Sequence, residues 1–298
     1  MRNLIKFLLL VSFSVSASAG WLTPDAYDKK YAANVLERSV FYAPMYGGLY
    51  KQRWELAVKE DPNVRAVAIH LHGCGGLGML EGGVASFYIQ RLGIAVITPD
   101  FVARPGNKTG CPGDDASAML RGGVQRFKEG VYTARNPERM DARTDDVEAL
   151  VAYIKTLTNK PIFISGHSEG ARTSYHFDKV DPQIVGVMLH NQSCTPSYSQ
   201  IWRLPTTYKT WQVIENNDPW ADGATDCAFH FKGDDASNIT LLRQSGDNHR
   251  PLNNDEAKIS LKKWVDGILG GSYKMLPFSN EALLPELQKN YQIKSIDK

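Results

Sequence analysis

The sequence predicts an α/β fold in which helices flank a central, mostly parallel sheet. Near-continuous apolar runs at residues 64–71, 94–97, 162–165 and 184–189 are typical of strands that are buried on both faces. Helical patterns lie between these runs, and the clearest is at residues 141–157, where apolar residues recur every three or four positions. Strands that alternate with helices favour βαβ units and therefore a parallel sheet.

The remaining elements follow the same alternation. A short helix near residues 25–34 and one or two antiparallel strands are expected before the first apolar run. A helix at residues 81–92, ended by Gly93, separates the first two runs. Further strands are predicted at residues 211–214 and 239–242, and further helices at residues 168–178, 255–269 and 280–291.

The composition is that of a folded globular protein. Of the 298 residues, 43% are hydrophobic and 22% are charged, which excludes a disordered, collagen-like or coiled-coil protein. A chain of this length can bury a large single core, so residues 20–298 are expected to form one domain. Residues 101–136 are rich in Gly, Pro and charge and are interpreted as a lid or insertion, and residues 272–298 as a C-terminal tail.

The first 19 residues have the pattern of a secretory signal peptide. Arg2 and Lys6 precede an apolar run at residues 7–15, and small residues up to Ala19 provide a cleavage site. The apolar run is too short to span a bilayer, so no stable membrane anchor is expected. The mature protein is therefore predicted to be periplasmic or secreted, with cleavage after Ala19.

The charge balance bears on possible partners. Cleavage after residue 19 would leave 32 Lys and Arg residues against 32 Asp and Glu residues. A neutral protein without a basic run has no electrostatic bias toward nucleic acid or anionic membranes, so no nucleic-acid partner is expected.

Four cysteines remain in the mature chain: Cys74, Cys111, Cys194 and Cys227. An even number of cysteines in an exported protein predicts two disulfides, and four cysteines allow three pairings. None of them forms a CxxC pair, which disfavours a zinc site.

Residues 166–170 read Gly-His-Ser-Glu-Gly, which is a G-x-S-x-G pattern. Ser168 follows an apolar run and begins a helical pattern, and this strand–turn–helix context is that of a nucleophile elbow. The chain crowds itself in such a turn, so only small residues fit at positions 166 and 170. The alternative interpretation is that Ser168 is an ordinary helix cap.

A serine hydroxyl becomes a nucleophile when a base that is oriented by an acid removes its proton. Asp218 and His249 each follow a predicted strand downstream of Ser168. Open α/β sheets build their sites at the carboxyl ends of their strands, and a nucleophile elbow is followed along the chain by an acid and then a histidine. Ser168, Asp218 and His249 are therefore the predicted catalytic residues.

Other residues could fill the same roles. The alternative acids are Glu215, Asp222 and Asp226. The alternative histidines are His176, His190 and His230, which are interpreted as ordinary packed or polar residues. His70 and His72 lie two positions apart on a predicted strand, so both could face the same side as metal ligands. No third ligand has a suitable spacing. No metal or other cofactor is therefore expected.

Acyl transfer also needs backbone N–H donors for the oxyanion. One donor is expected from Glu169, directly after Ser168. Residues 72–76 form a glycine-rich loop after the first strand, and glycines let a backbone present its N–H groups at close range, so the second expected donor is Cys74. A phosphate-binding loop is the alternative, but the segment lacks the P-loop and dinucleotide-binding patterns.

Taken together, these segments resemble the α/β-hydrolase superfamily, and most closely its dienelactone-hydrolase-related branch. The segments that carry the resemblance are residues 72–76, 99–101, 166–170, 217–219 and 247–249. The resemblance spans roughly residues 60 to 270 and implies the α/β-hydrolase fold with a Ser168–Asp218–His249 triad. The chain departs from dienelactone hydrolase itself, which has a cysteine nucleophile where this chain has Ser168, so the substrate of that enzyme is not carried over.

The resemblance implies a serine hydrolase, carboxylesterase-like, that forms an acyl-enzyme with a small-molecule ester, and the signal-peptide pattern adds the expectation that it is exported. Two alternatives remain open. One is an amidase or peptidase that uses the same triad. The other is a catalytically idle binding or effector protein that has kept the fold.

The strand order of the superfamily also implies the disulfide pairs. It places the strand at residues 64–71 beside the strand at residues 94–97, and the strand at residues 184–189 beside the strand at residues 211–214. Each cysteine follows the end of one of these strands, and bridging needs Cα atoms within about 7 Å. The expected pairs are Cys74 with Cys111 and Cys194 with Cys227.

Overall fold

The structure is a computed structural model that describes residues 29–43, 47–49, 51–104, 137–191, 194, 202–218 and 227–274. The predicted signal peptide, nearly all of the lid or insertion and nearly all of the C-terminal tail lie outside these residues. The domain boundaries, the lid and the helix at residues 280–291 therefore stay predictions.

Eight strands of the described chain form one sheet. They are β1 (Ser39–Ala43), β2 (Gly47–Leu49), β3 (Ala66–Leu71), β4 (Ile94–Pro99), β5 (Ile162–His167), β6 (Ile184–His190), β7 (Thr210–Glu215) and β8 (Ile239–Gln244). Their order across the sheet is β2-β1-β4-β3-β5-β6-β7-β8. β1 is antiparallel to β2 and β4, and the other neighbours are parallel. The predicted mostly parallel sheet is confirmed.

Helices cover both faces of this sheet. They are α1 (Lys51–Glu60), α2 (Met79–Phe87), α3 (Pro137–Leu157), α4 (Glu169–His176) and α5 (Asp255–Leu269). A 3-10 helix at Lys29–Arg38 stands where a helix was expected near residues 25–34, and a π-helical turn at Tyr88–Leu92 extends α2 up to Gly93. No helix among the described residues is long and apolar enough to cross a membrane.

The sequence prediction missed α1. Its buried residues Trp54, Ala57 and Val58 have helical spacing, so the signal is present. The surrounding segment is dense in aromatic residues, which favour strands, and this composition obscured the helical period.

The core lies on both faces of the sheet, as the continuous apolar runs of the strands require. On β3, Val67 and Ile69 join the cluster that packs under α1, α3 and α4, while Ala66 and Ala68 join the opposite cluster under α2 and α5. Alternate residues of one strand thus serve opposite layers, since successive side chains point to opposite faces.

The parallel strands position the candidate site. The carboxyl ends of β3, β5, β6, β7 and β8 meet at one edge of the sheet. The glycine-rich loop, the Ser168 turn and the loops that carry Asp218 and His249 all begin at this edge.

The structure pairs Cys194 with Cys227, with Cα atoms 5.0 Å apart, as predicted. This bridge joins segments that follow the neighbouring strands β6 and β7. Cys74 is also disulfide-bonded. Its predicted partner, Cys111, lies outside the described residues.

Candidate active site

Ser168 occupies a strained turn between β5 and α4. Its φ of 55° and ψ of −118° lie in a region that residues other than glycine rarely adopt. The Ser168 N–H donates to the carbonyl of His190 over 3.0 Å, and the Ser168 carbonyl accepts from the N–H of Arg172 over 3.1 Å. These two hydrogen bonds therefore hold the turn against the end of β6 and the first turn of α4.

Close packing explains the glycines on either side of Ser168. A Cβ atom on Gly166 would lie 2.2 Å from the carbonyl carbon of Gly170. A Cβ atom on Gly170 would lie 1.9 Å from the carbonyl oxygen of Leu71, at the end of β3. No side chain fits at either position, so the turn has the crowding that the sequence predicts for a nucleophile elbow.

The loops after β7 and β8 bring Asp218 and His249 together. The N–H groups of Asn216 and Asn217 donate to the carbonyls of Gln244 and Gly246, over 2.9 and 3.0 Å. Asp218 Oδ2 then lies 2.6 Å from His249 Nδ1. The Asp218 side chain is 0% exposed and that of His249 is 15% exposed, so the ring keeps access to solvent. An ionised carboxylate only accepts, which places the proton of a neutral His249 on Nδ1 and leaves Nε2 as the basic atom.

His167 links this pair to the Ser168 turn. His167 Nε2 donates to the carbonyl of His249 over 2.8 Å, and the two rings lie 4.6 Å apart between centroids. Burial, reinforced by the nearby His249, holds the pKa of His167 well below its ordinary value, so this ring stays neutral. In the sequence, His167 carries no signal of this role beyond its position just before Ser168.

The competing histidines have other partners. His176 Nε2 lies 2.8 Å from Asp141 Oδ1, at the far end of α4. His190 Nε2 lies 2.7 Å from the hydroxyl of Tyr88 in the core. His230 is stacked on Trp202, with ring centroids 4.3 Å apart.

Glu215 supports the site without facing His249 as Asp218 does. Its Oε2 accepts from Asn191 Nδ2 over 2.8 Å and from the N–H of Arg250 over 3.2 Å. The side chain also packs against Gly246, where a Cβ atom would lie 2.4 Å from Glu215 Oε1. Glu215 therefore holds the loop that carries His249, while Asp222 and Asp226 lie outside the described residues.

The glycine-rich loop after β3 crosses the Ser168 turn. A Cβ atom on Gly73 would lie 3.4 Å from Ser168 Cβ and 3.3 Å from His167 Nδ1. The buried carboxylate of Glu81 lies at the start of α2, just beyond this loop, where its Oε2 accepts from the N–H of Gly78 over 2.8 Å. Burial raises the pKa of Glu81, and backbone N–H groups that include that of Gly73 oppose the rise. The loop thus brings Cys74, the next residue, to the neighbourhood of Ser168.

His70 on β3 and His72 in the loop after it both form hydrogen bonds with neighbouring protein groups. His70 Nδ1 lies 3.0 Å from Ser165 Oγ. His72 Nδ1 donates to the carbonyl of Gly73 over 2.5 Å, and His72 Nε2 accepts from the N–H of Phe101 over 2.9 Å. Across the residues that the structure describes, no group of three His, Cys, Asp or Glu residues is placed to hold a metal ion.

No family model and no curated protein matches the chain in sequence. Solved structures do match. A phospholipase/carboxylesterase from Dyadobacter fermentans is 14% identical with a TM-score of 0.46, over 70% of this chain and 91% of that one. A cold-adapted esterase from an Arctic intertidal metagenomic library is 19% identical with a TM-score of 0.46, over 69% and 82%. A structure assigned as a dienelactone hydrolase, from Klebsiella pneumoniae, is 11% identical with a TM-score of 0.44, over 71% and 89%.

The fold itself follows from this chain's own geometry. A mostly parallel sheet, with eight strands among the described residues, carries Ser168 in a tight turn from β5 into α4, and Asp218 and His249 follow β7 and β8. These are the features by which an α/β-hydrolase sheet is recognised. The chain has the α/β-hydrolase fold.

Proposed function

We propose that the protein is an exported serine hydrolase that cleaves carboxylic esters of small molecules through an acyl-enzyme. The observation that carries the proposal is the 2.6 Å contact between Asp218 Oδ2 and His249 Nδ1, beside the strained turn of Ser168. A carboxylate, an imidazole and a serine in this chain order on an α/β sheet are the parts of a catalytic triad.

In the proposed mechanism, Asp218 accepts the Nδ1 proton of His249 and so holds Nε2 as the base. Nε2 takes the hydroxyl proton of Ser168 as Oγ attacks the carbonyl carbon of the ester. The N–H groups of Glu169 and Cys74 stabilise the oxyanion of the tetrahedral intermediate. His249 then returns the proton to the leaving alkoxide, which leaves Ser168 acylated. Water, deprotonated by His249, then attacks this ester, and His249 returns the proton to Ser168 Oγ as the acid is released.

The preference for an ester over an amide rests on the resemblance to the dienelactone-hydrolase-related branch. The proposed steps require no cofactor, because Ser168 supplies the nucleophile and His249 supplies the acid and the base.

The proposal is tested with a fluorophosphonate probe and a chain-length series of p-nitrophenyl esters. The wild type should be labelled and should hydrolyse at least one ester, while Ser168→Ala should take no label and lose several orders of magnitude in turnover. Ser237→Ala is the control, because Ser237 is exposed and donates only to a local carbonyl, that of Asp234. Far-UV circular dichroism should be the same for all three proteins.

Each other outcome identifies an alternative. A Ser168→Ala variant that keeps more than about a tenth of the turnover would remove Ser168 as the nucleophile, given the losses typical of triad variants. Faster hydrolysis of p-nitroanilides than of the matched esters would identify an amidase or peptidase. A wild type that takes no label and hydrolyses neither substrate would identify a catalytically idle protein.

Export is proposed on the N-terminal pattern and on the disulfides. The Cys194–Cys227 bridge and the bonded state of Cys74 favour an oxidising compartment, where such bonds persist. N-terminal sequencing of the protein from the periplasm or the medium should begin at Gly20. An uncleaved protein in the cytosol would contradict this proposal.

A further inference from the structure

Arg143 lies buried between the Ser168 turn and the glycine-rich loop. It projects from α3, and its side chain is 2% exposed. Its Nη1 donates to Glu169 Oε1 over 2.9 Å, and its Nη2 donates to the carbonyl of His72 over 2.6 Å. One guanidinium therefore bonds to two segments that lie far apart in the sequence.

These two segments carry the two proposed oxyanion donors. Glu169 supplies one N–H itself, and His72 lies two residues before Cys74, which supplies the other. We propose that Arg143 is a positioning residue that sets the spacing between these two donors. This inference rests on the proposed serine-hydrolase function and identifies a residue that supports the oxyanion site.

An arginine suits this task better than a lysine. Its planar guanidinium presents N–H groups in a rigid fork, so two acceptors are held at a fixed separation. The guanidinium also lies 5.2 Å from the ring centroid of Phe101, whose own N–H donates to His72 Nε2 over 2.9 Å. His72 is thus held by two hydrogen bonds, one from Arg143 to its carbonyl and one from the Phe101 N–H to its ring.

The chain just beyond the glycine-rich loop is held as well. Glu81 accepts from the N–H of Gly78, so the start of α2 is fixed locally. Arg143 connects the glycine-rich loop to Glu169, the first residue of α4, through its two hydrogen bonds. A displacement of about 1 Å in a catalytic group can cost about 100-fold in rate. The effect of Arg143 on the spacing of the two N–H donors should therefore be seen mainly in the rate of catalysis.

Arg104 provides a matched control. Its side chain is 0% exposed, and its Nη1 donates to Asp146 Oδ1 over 2.7 Å and to the carbonyl of Ala142 over 2.8 Å. Its guanidinium lies 5.6 Å from the centroid of the same Phe101 ring. Arg104 and Arg143 therefore share burial, an acidic partner and an aromatic contact, but Arg104 donates to Asp146 and Ala142, which both lie on α3.

The experiment compares Arg143→Lys with Arg104→Lys. Lysine keeps the charge but has one nitrogen in place of the two that bond here. For each variant, kcat and KM for a p-nitrophenyl ester are measured, together with the inhibition constant of an aryl boronic acid, which forms a tetrahedral adduct with a nucleophilic serine. Arg143→Lys should lower kcat and weaken boronic acid inhibition by a similar factor, about 10- to 100-fold, with KM changed by less than about threefold. Arg104→Lys should change all three values by less than about threefold.

Equal effects of the two substitutions, or a loss for Arg143→Lys that lies in KM alone, would overturn the inference. If Arg143→Lys does not fold, Arg143→Met/Glu169→Gln is compared with Arg104→Met/Asp146→Asn. Each double variant removes a buried arginine–carboxylate pair of α3, and the second also removes the carboxylate that pairs with Arg38. A boronic acid affinity lost only in the first supports the inference, and an equal loss in both, or no folded first variant, overturns it. A wild type that takes no fluorophosphonate label removes the proposed function and the inference together, whereas labelling with an unaffected Arg143→Lys removes the inference alone.

Discussion

The N–H of Asp218 donates to the carbonyl of Glu215 over 3.2 Å, and beyond this turn the two carboxylates have different partners. Asp218 contacts the ring of His249, whereas Glu215 contacts Asn191 and the backbone of Arg250. Both residues are buried, at 6% and 2% exposure. One carboxylate therefore lies against the imidazole, and the other supports the chain that carries it.

This division predicts the outcome of amide substitutions. Asp218→Asn should lose about 10³- to 10⁴-fold in turnover, because an amide that donates to Nδ1 favours the wrong imidazole tautomer. Glu215→Gln should lose less than about tenfold, since a glutamine still offers an acceptor to the Arg250 N–H. Asp222→Asn and Asp226→Asn should also lose less than about tenfold, because neither is the expected partner of His249. The four purified variants are compared by their turnover of one activated ester. A large loss of turnover in Asp222→Asn or Asp226→Asn would show that this residue, and not Asp218, is the catalytic acid.

The crowded turn predicts a large difference between two glycine substitutions. Gly170→Ala should cost at least about 3 kcal/mol of unfolding free energy, because its Cβ would overlap the Leu71 carbonyl. Gly82→Ala in α2 meets nothing within 4 Å and should be neutral or add about 0.5–1 kcal/mol. Urea unfolding measures both changes. A Gly170→Ala midpoint equal to that of the wild type would contradict the close approach of α4 to β3.

The buried histidines predict loss of stability in acid. Burial lowers the pKa of His70 to about 3, and burial together with the charge of His70 lowers that of His190 well below its ordinary value. Between pH 3 and about 6.5 the unfolded chain binds more protons than the folded chain, so stability falls as the pH decreases through this window. Each such histidine contributes a slope of up to about 1.4 kcal/mol per pH unit.

Urea unfolding at a series of pH values tests this prediction. In His70→Asn, the unfolding free energy should change less steeply with pH below pH 6.5, by the equivalent of up to one bound proton. Above pH 6.5 the substitution should leave the pH dependence of stability unchanged. Asparagine can keep a hydrogen bond to Ser165 Oγ, which limits the loss of packing. An unchanged slope in the variant would show that His70 is protonated in the folded state.

The Cys194–Cys227 bridge predicts a stability loss on removal. It closes a loop with a sequence separation of 33 residues, and the chain-entropy model assigns about 3–4 kcal/mol to a loop of that length. Cys194→Ser/Cys227→Ser should show this loss in denaturant unfolding. Non-reducing peptide mapping of the wild type should also recover Cys74 joined to Cys111, and a peptide that joins Cys74 to Cys194 or Cys227 would contradict the pairing.

The sequence alone was enough to predict the strands and the parallel sheet. Strands buried on both faces need continuous apolar runs, and β3, β4, β5 and β6 are such runs. The Ser168 turn was also predictable, because the crowding of Gly166 against Gly170 acts between residues close in sequence, whereas the crowding of Gly170 against Leu71 is a tertiary contact. The helix α1 was missed where aromatic composition outweighed a short helical period.

Only the tertiary structure decided which side chains support the site. Arg143 bonds to Glu169 and to His72, from which it is separated by 26 and 71 residues, and Glu215 bonds to the Arg250 N–H across 35 residues. Local periodicity determines which face of an element is buried, because it depends on residues within one or two turns. The partner met by a buried polar group depends on the order of the strands and the packing of helices across them, which sets distances between residues far apart in the chain. The sequence therefore determined the elements and the Ser–Asp–His order, and the sheet order determined the hydrogen bonds that hold them.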